Sequence, residues 1–428
     1  MDVLKTTLSN GLNVLLKEIH TTPIISHWLW VRVGSRDEGS GLTGASHWVE
    51  HMQFKGTPQF PAGRLDKDIS RDGGFWNAMT YIDWTAYFAT MPADKIDLPM
   101  RLEADRLVNS NFDAQEVDSE RTVIISERQG NENNPMFLLD EDVQQAAFDK
   151  HPYKHEVIGY TADLKSMSRD DLYHHYKRFY VPNNAVLAAA GDFDAQVMLE
   201  RIRELYEAIP AGPAPARVAA EEPAPVEERR VVTKGPGETI FVKAAYRSVR
   251  ATDPDFFALT VADSLLAGPS NLNMFSGGIS NKTSRLYRHL VDRDLAVGVN
   301  GGLQATIDPF VYDITIVVHP ERKAEEAVAA LDEEIARLQD KPPKVEELTR
   351  AVKQAQALFA YGSESITNQA FWLGFAEVFD RYAWFETYLA QLAAVTPADV
   401  QRAAQTYLRP QRRVLGVYQP DGRPAGDE

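Results

Sequence analysis

The chain of 428 residues contains no cysteine. That absence excludes disulfides, thiolate metal ligands and a cysteine nucleophile, so any metal must rely on His, Asp or Glu. Long apolar runs are missing as well. No stretch approaches the roughly 20 residues of a membrane-spanning helix, and Met1 to Asn13 lacks the basic-then-apolar pattern of a secretory signal. The chain is expected to be soluble, with no membrane insertion. Positive charge is in deficit: 45 Lys and Arg against 61 Asp and Glu give a formal charge of -16. This argues against a nucleic-acid surface and is compatible with basic peptide partners. What is present builds cores, since 44% hydrophobic residues in 428 predict two or more folded domains.

Histidine is scarce, 10 in all, yet two stand four apart in His47-Trp48-Val49-Glu50-His51. On an α-helix, residues three and four apart share a face, so His47, Glu50 and His51 point one way. Two imidazoles can then grip one metal, with Glu50 placed to take a proton from an activated water without being a ligand. The order inverts the more familiar H-E-x-x-H and is the inverzincin signature. Three specified positions recur by accident in about one such chain in a hundred, so the motif needs support. His151 and His155 are also four apart, but Pro152 disfavours a continuing helix and Lys154 stands where a carboxylate should be. That pair reads as a loop.

Support comes from an acidic helical stretch, DAQEVDSERTVIISERQG, opened by a capping-box pattern of Asp113 and Glu116 and stopped at Gly130. Glu120 and Glu127 are two turns apart and share one face. Glu127 is the expected third ligand, and Glu120 is placed to orient a ligating histidine.

From Ala211 to Glu228 the sequence AGPAPARVAAEEPAPVEE has the composition of an extended linker. The expected division is a metal-binding domain over 1–210, a linker over 211–233 and a homologous domain without metal over 234–428. The halves echo each other: SRDDLYHHYKRFYVPNNAVLA from Ser168 aligns without gaps on TPADVQRAAQTYLRPQRRVLG from Thr396, a constant shift of 228. Each copy reads as a capped helix, a proline-marked turn and an apolar strand. A repeat of this length predicts a duplicated α+β domain rather than a solenoid, with mixed or antiparallel sheets and helices packed on one face.

These residues resemble the pitrilysin-type zinc peptidases, in particular the processing-peptidase branch and its paired bacterial members. GLTGASHWVEHMQFKGT from Gly41 is similar to the branch's zinc-helix block, GGFWNAMTYIDWTAYF from Gly73 to its G-G-x-x-N-A-x-T-x-x-D-x-T-x-Y block, and ERTVIISE from Glu120 to its third-ligand helix. The resemblance implies one Zn2+ per chain on His47, His51 and Glu127, Glu50 as general base, and Glu120 as supporting carboxylate. It also implies that Gly74, Phe75, Trp76, Asn77 and Ala78 form an edge strand to which an extended peptide substrate adds, with Asn77 and Ala78 near the scissile bond. Trp76, Trp84 and Tyr87 read as ordinary core packing rather than substrate contacts.

One departure stands out. The resemblance implies that active family members carry an arginine and a tyrosine in a block like L-R-E-K-G-L-A-Y in the second half, both contacting the substrate or the developing oxyanion. Here Val291 and Val297 occupy those positions, and Arg293 is out of register. The implied repair is a related subunit that lacks the zinc motif and supplies the Arg/Tyr pair, making a heterodimer. The rivals are a non-catalytic structural or interaction subunit of the same fold, and a metal enzyme of another class such as an amidohydrolase. The second half offers only His289 and His319, without paired spacing, for the latter. A periplasmic location with its signal removed is expected, with the cytoplasm as the alternative.

Overall fold

Apolar stretches of both halves become sheets in the computed structural model, which describes residues 3–217, 221–273 and 277–422. The first half runs β1 (Leu4–Thr7), β2 (Asn13–Glu18), β3 (Ile24–Val31), α1 (Ala45–Met52), α2 (Leu65–Arg71), β4 (Phe75–Thr80), β5 (Thr85–Pro92) and α3 (Asp97–Asn109). It continues through α4 (Ala114–Glu132), α5 (Pro135–Ala147), α6 (Thr161–Ser166), α7 (Arg169–Phe179), β6 (Ala185–Gly191) and α8 (Ala195–Tyr206). The second half runs β7 (Arg229–Gly235), β8 (Phe241–Arg247), α9 (Phe256–Leu266), β9 (Ala296–Leu303), β10 (Val311–Val318) and α10 (Ala324–Asp340). It ends with α11 (Val345–Tyr361), α12 (Ile366–Phe379), α13 (Ala383–Ala394), α14 (Pro397–Tyr407) and β11 (Arg413–Pro420).

Two mixed sheets result, ordered β1-β2-β6-β3-β5-β4 and β7-β11-β8-β10-β9. Without β1 the orders correspond strand for strand, down to the one parallel pair in each, β2 with β6 and β7 with β11. The repeat read from the sequence is visible locally. Ser168 and Thr396 cap α7 and α14 with the same reciprocal box, closed by Asp171 and Asp399. Short 3-10 turns at Pro182–Asn184 and Pro410–Arg412 then lead into β6 and β11.

The compact units do not follow the contiguous halves. One unit comprises Met1–Arg128, His155–Ala220 and Ser363–Phe385, and the other Gln129–Lys154, Glu221–Gly362 and Glu386–Glu428. Each half therefore sends a helix into the other's unit. In the first unit α12 lies on β3 and β6, opposite the face that receives α1, α3 and α8. Every residue of α12 from Ala370 to Ala376 is buried, as a helix placed inside a core requires. Its Phe371 meets Trp28 and Trp30 edge-on at 5.6 and 5.3 Å. Gly374 permits the approach, because a Cβ there would lie 2.0 Å from Trp30 Nε1. In the second unit α5 lies on β11, β7 and β8. There the glycine is on the strand: a Cβ at Gly416 would lie 2.3 Å from Val143 Cγ2.

Two local expectations change. Helix α4 continues through Gly130 to Glu132, because that glycine is on the surface and weakens a helix by only about 1 kcal/mol. The described residues on either side of 218–220 in the proline-rich segment are pinned. Arg217 donates to Arg32 O (2.6 Å), Asp37 Oδ1 (2.9 Å) and Asn184 Oδ1 (3.0 Å), while Glu222 accepts from the backbone N–H groups of Asp149, Lys150 and His151 at 2.7–2.8 Å.

Candidate metal centre

Helix α1 begins where Gly44 turns the chain at φ 89° and a buried carboxylate satisfies its first N–H groups. Glu38 accepts from Gly44 N (2.8 Å) and Ser46 N (2.7 Å), the arrangement favoured at a helix N-terminus. The helix then presents His47, Glu50 and His51 on one face, and α4 presents Glu120 and Glu127 towards them.

The three expected ligands converge. His47 Nε2 and His51 Nε2 are 3.2 Å apart, and Glu127 Oε2 lies 3.9 Å from the first and 3.7 Å from the second. Among the described residues this is the one cluster of three or more such groups able to hold a metal. Ligands at about 2.0–2.2 Å around a tetrahedral ion are separated by roughly 3.3 Å, so the triangle is close to the size required. His51 turns Nδ1 to Glu120 Oε1 at 2.7 Å, which leaves its Nε2 lone pair directed at the cluster.

The surroundings sort the charges. Burial, aided by the neighbouring His51, pushes His47 down to about 3, so it is a neutral donor. For His51, burial is outweighed by the Glu120 hydrogen bond and the charges of Glu50, Glu120 and Glu127, and its pKa is raised. For Glu120, burial is outweighed by hydrogen bonds from His51 and Lys55, and its pKa is lowered. Burial raises Glu50, partly offset by the hydrogen bond from Thr80 and the charge of His51. A carboxylate made more basic in this way is a better proton acceptor. The donor set fits a divalent metal, whose binding would displace the proton that the acidic neighbours favour on His51.

Residues not singled out from the sequence complete the centre. Lys55 Nζ reaches Glu120 Oε2 at 2.5 Å and Glu116 Oε2 at 3.6 Å. Its position four residues beyond His51 was the available signal. Thr80 Oγ1 donates to Glu50 Oε2 at 2.8 Å. Asp113 does cap α4, accepting from Gln115 N (2.9 Å) and Glu116 N (3.3 Å), while the Glu116 carboxylate turns to Lys55.

Strand β4 is the last in its sheet and pairs only with β5 among the described strands. Alternation along a strand puts Trp76, Ala78 and Thr80 on the face towards α1, and Phe75 and Asn77 on the other. Trp76 meets Phe54 at 5.0 Å and donates to Asp66. Asn77 is exposed and accepts from Ala78 N at 2.9 Å. Phe75 is 52% exposed. Gly74 is required beside Met91, whose Sδ would lie 1.8 Å from a Cβ there. Trp84 and Tyr87 are core residues. His151 and His155 hold no common site: His151 pairs with Asp308 at 3.1 Å and His155 with Glu38 at 2.9 Å.

A duplicated α/β scaffold with one His/His/Glu cluster defines a class to which known proteins can be compared. The family model described as Insulinase (Peptidase family M16) matches residues 13–161, and that described as Peptidase M16 inactive domain matches residues 166–355. The chain belongs to peptidase family M16. A probable mitochondrial-processing peptidase subunit beta of Arabidopsis thaliana is 30% identical over 297 residues, 69% of this chain and 55% of that protein. The chain thus aligns with about half the length of that relative. An uncharacterized zinc protease of Streptomyces coelicolor is 27% identical over 419 residues, 97% of this chain and 89% of that one. The crystal structure of a protease from Helicobacter pylori is 26% identical with a TM-score of 0.91, covering 98% of this chain and 99% of that one. Among the described residues, no helix is long and apolar enough to cross a membrane.

Proposed function

We propose that this chain is a zinc-dependent endopeptidase for short or unfolded peptides, acting as the catalytic subunit of a heterodimer. The observation that carries the proposal is the convergence of His47 and His51 of α1 with Glu127 of α4 beside the buried Glu50. His47, His51 and Glu127 would hold one zinc ion. The chemistry that zinc supplies when bound is Lewis acidity towards the scissile carbonyl and the attacking water.

The chain's own groups do the rest. Glu50 accepts a proton from the attacking water and returns it to the leaving amine, while Thr80 fixes the carboxylate through Oε2. Glu120 holds His51 in the tautomer that donates from Nδ1. The free edge of β4, from Phe75 to Thr80, binds extended substrate backbone through ladder hydrogen bonds, which asks little of its sequence.

The heterodimer reading rests on Val291 and Val297 at the positions where an oxyanion-directed pair is expected. It draws support from a relative whose name marks it as a subunit. A non-catalytic subunit of the same fold would have no need of the full set His47, Glu50, His51, Glu120 and Glu127, so that alternative ranks second.

The test is cleavage of a quenched-fluorescent unfolded peptide, with zinc content measured, by the chain alone and mixed with a related subunit lacking the zinc motif. Cleavage only in the mixture, reduced about 10²–10⁴-fold by Glu50→Gln with zinc retained, is the expected result. Full activity of the chain alone removes the partner requirement. Bound zinc without cleavage in either sample favours the structural-subunit reading.

A further inference from the structure

The metal ligands sit on two helices, α1 and α4, and α1 packs chiefly on α7 and β4 rather than closely against α4. The direct links between the two helices, Glu120 to His51 at 2.7 Å and Arg121 to the Trp48 ring at 4.7 Å, lie about two turns before Glu127, whose carboxylate stays 3.7–3.9 Å from the histidines. The segment 155–164 touches α4 and the residues that lead into α1. We propose that it is a brace that sets the spacing of the metal ligands, with His155, Arg121 and Arg128 as positioning residues. This inference rests on the zinc reading above.

One end of the brace holds the entry to α1. His155 Nε2 is 2.9 Å from Glu38 Oε2, and Glu38 is the carboxylate that receives Gly44 N and Ser46 N. Thr43 Oγ1 donates to Asp163 Oδ2 at 2.7 Å and accepts from Tyr160 N at 2.9 Å. Two glycines let the backbones interlock. A Cβ on Gly159 (φ 78°) would lie 2.2 Å from Thr43 O, and one on Gly44 would lie 2.5 Å from Ile158 O. No room is left for the two strands of chain to shift against each other.

The other end holds α4. Arg128, adjacent to Glu127, is buried and donates to Gly159 O (2.8 Å) and Thr161 Oγ1 (3.2 Å). One heptad earlier, Arg121 donates to Leu164 O at 2.5 Å, and its guanidinium lies 4.7 Å from the ring centroid of Trp48. The spacing repeats that of the carboxylates, so Glu120 and Glu127 face the histidines while Arg121 and Arg128 grip the brace. Glu127 needs this support: its side chain is 44% exposed, whereas Glu120 is held by both His51 and Lys55. A ligand on a helix free to drift loses the preorganisation on which affinity depends.

The experiment measures zinc affinity of the full chain by chelator competition, together with the visible absorption of the cobalt(II)-loaded protein. Arg128→Met and His155→Ala are expected to weaken zinc roughly 10–100-fold and to reduce the intense bands of four-coordinate cobalt. His155→Gln, which retains a donor for Glu38, is expected to restore affinity to near wild type. If Arg128→Met does not fold, Arg128→Lys carries the test, with affinity between wild type and His155→Ala. Variants with wild-type affinity and an unchanged cobalt spectrum overturn the brace, as does a His155→Gln variant no better than His155→Ala. Wild-type protein that binds no zinc overturns instead the functional reading beneath it.

Discussion

The first helix of each sheet shows how one scaffold carries two fates. Helix α1 follows β3 and brings His47, Glu50 and His51 to the edge strand β4; helix α9 follows β8 and brings one polar acid, Asp263, to the edge strand β9. In both units the edge strand meets the buried carboxylate of that helix. Thr80 donates to Glu50, whereas Gly301 makes space for Asp263, whose Oδ1 would lie 2.0 Å from a Cβ. Strand order and strand directions are common to the units, β1 apart, so the fold alone does not confer the chemistry. Two imidazoles and a carboxylate from α4 separate a candidate metal centre from an ordinary core.

The largest test of this comparison is physical separation. If the units were independent copies, residues 1–228 would fold without the remainder. The exchanged helices predict otherwise: that fragment lacks α12, so Trp28 and Trp30 lose the cover of Phe371 and Phe375. Removing four or five large buried side chains forfeits on the order of 10 kcal/mol, comparable to the whole stability of a domain. Residues 1–228 alone should show no cooperative urea transition, and co-expression with 229–428 should restore one. A cooperative transition in the isolated fragment would contradict the exchange as a folding requirement.

A second test asks whether the unit without the cluster limits activity. Val297 lies on β9 and is 55% exposed, and Val291 ends the turn before it. Val291→Arg with Val297→Tyr should raise kcat/KM of the chain without a partner by about 10²-fold, the scale of one oxyanion donor, while zinc affinity stays unchanged. An unchanged rate would place the missing donors elsewhere.

Much of the asymmetry was legible in the sequence because it rests on short spacings. His47, Glu50 and His51 follow from helix periodicity, and Glu120 with Glu127 from the heptad within one continuous helix. The duplication was legible at Ser168 and Thr396, where capping residues, prolines and apolar strands recur at a fixed shift. The exchanged helices were not. Helix α12, ITNQAFWLGFAEVF, is apolar almost all round, so periodicity says that it is buried without saying which sheet covers it. The brace was illegible for a related reason: His155, Glu38 and Arg128 are far apart in sequence, and no local pattern links a buried histidine to the helix that it steadies.

The smallest test concerns the two carboxylates themselves. Burial raises both Glu50 and Asp263, and Asp263 reaches about 7 despite hydrogen bonds from Ser270 N (2.8 Å) and Oγ (2.6 Å). An acid whose folded pKa exceeds its unfolded value of 3.8 binds more protons folded than unfolded between the two. Stability therefore falls as pH rises from about 4 to about 7 and is level above that range. Glu50 has a proposed use for its raised basicity, and Asp263 has none in that mechanism. Asp263→Asn keeps an acceptor for Ser270 and cannot ionise, so it should remove this slope and stabilise the protein by about 4 kcal/mol at pH ~8, with little change at pH ~4. Urea midpoints across that range would measure it. A variant less stable than wild type at the alkaline end would mean that the ionised Asp263 is held by its surroundings, and the second unit would then contain a working charge rather than a tolerated one.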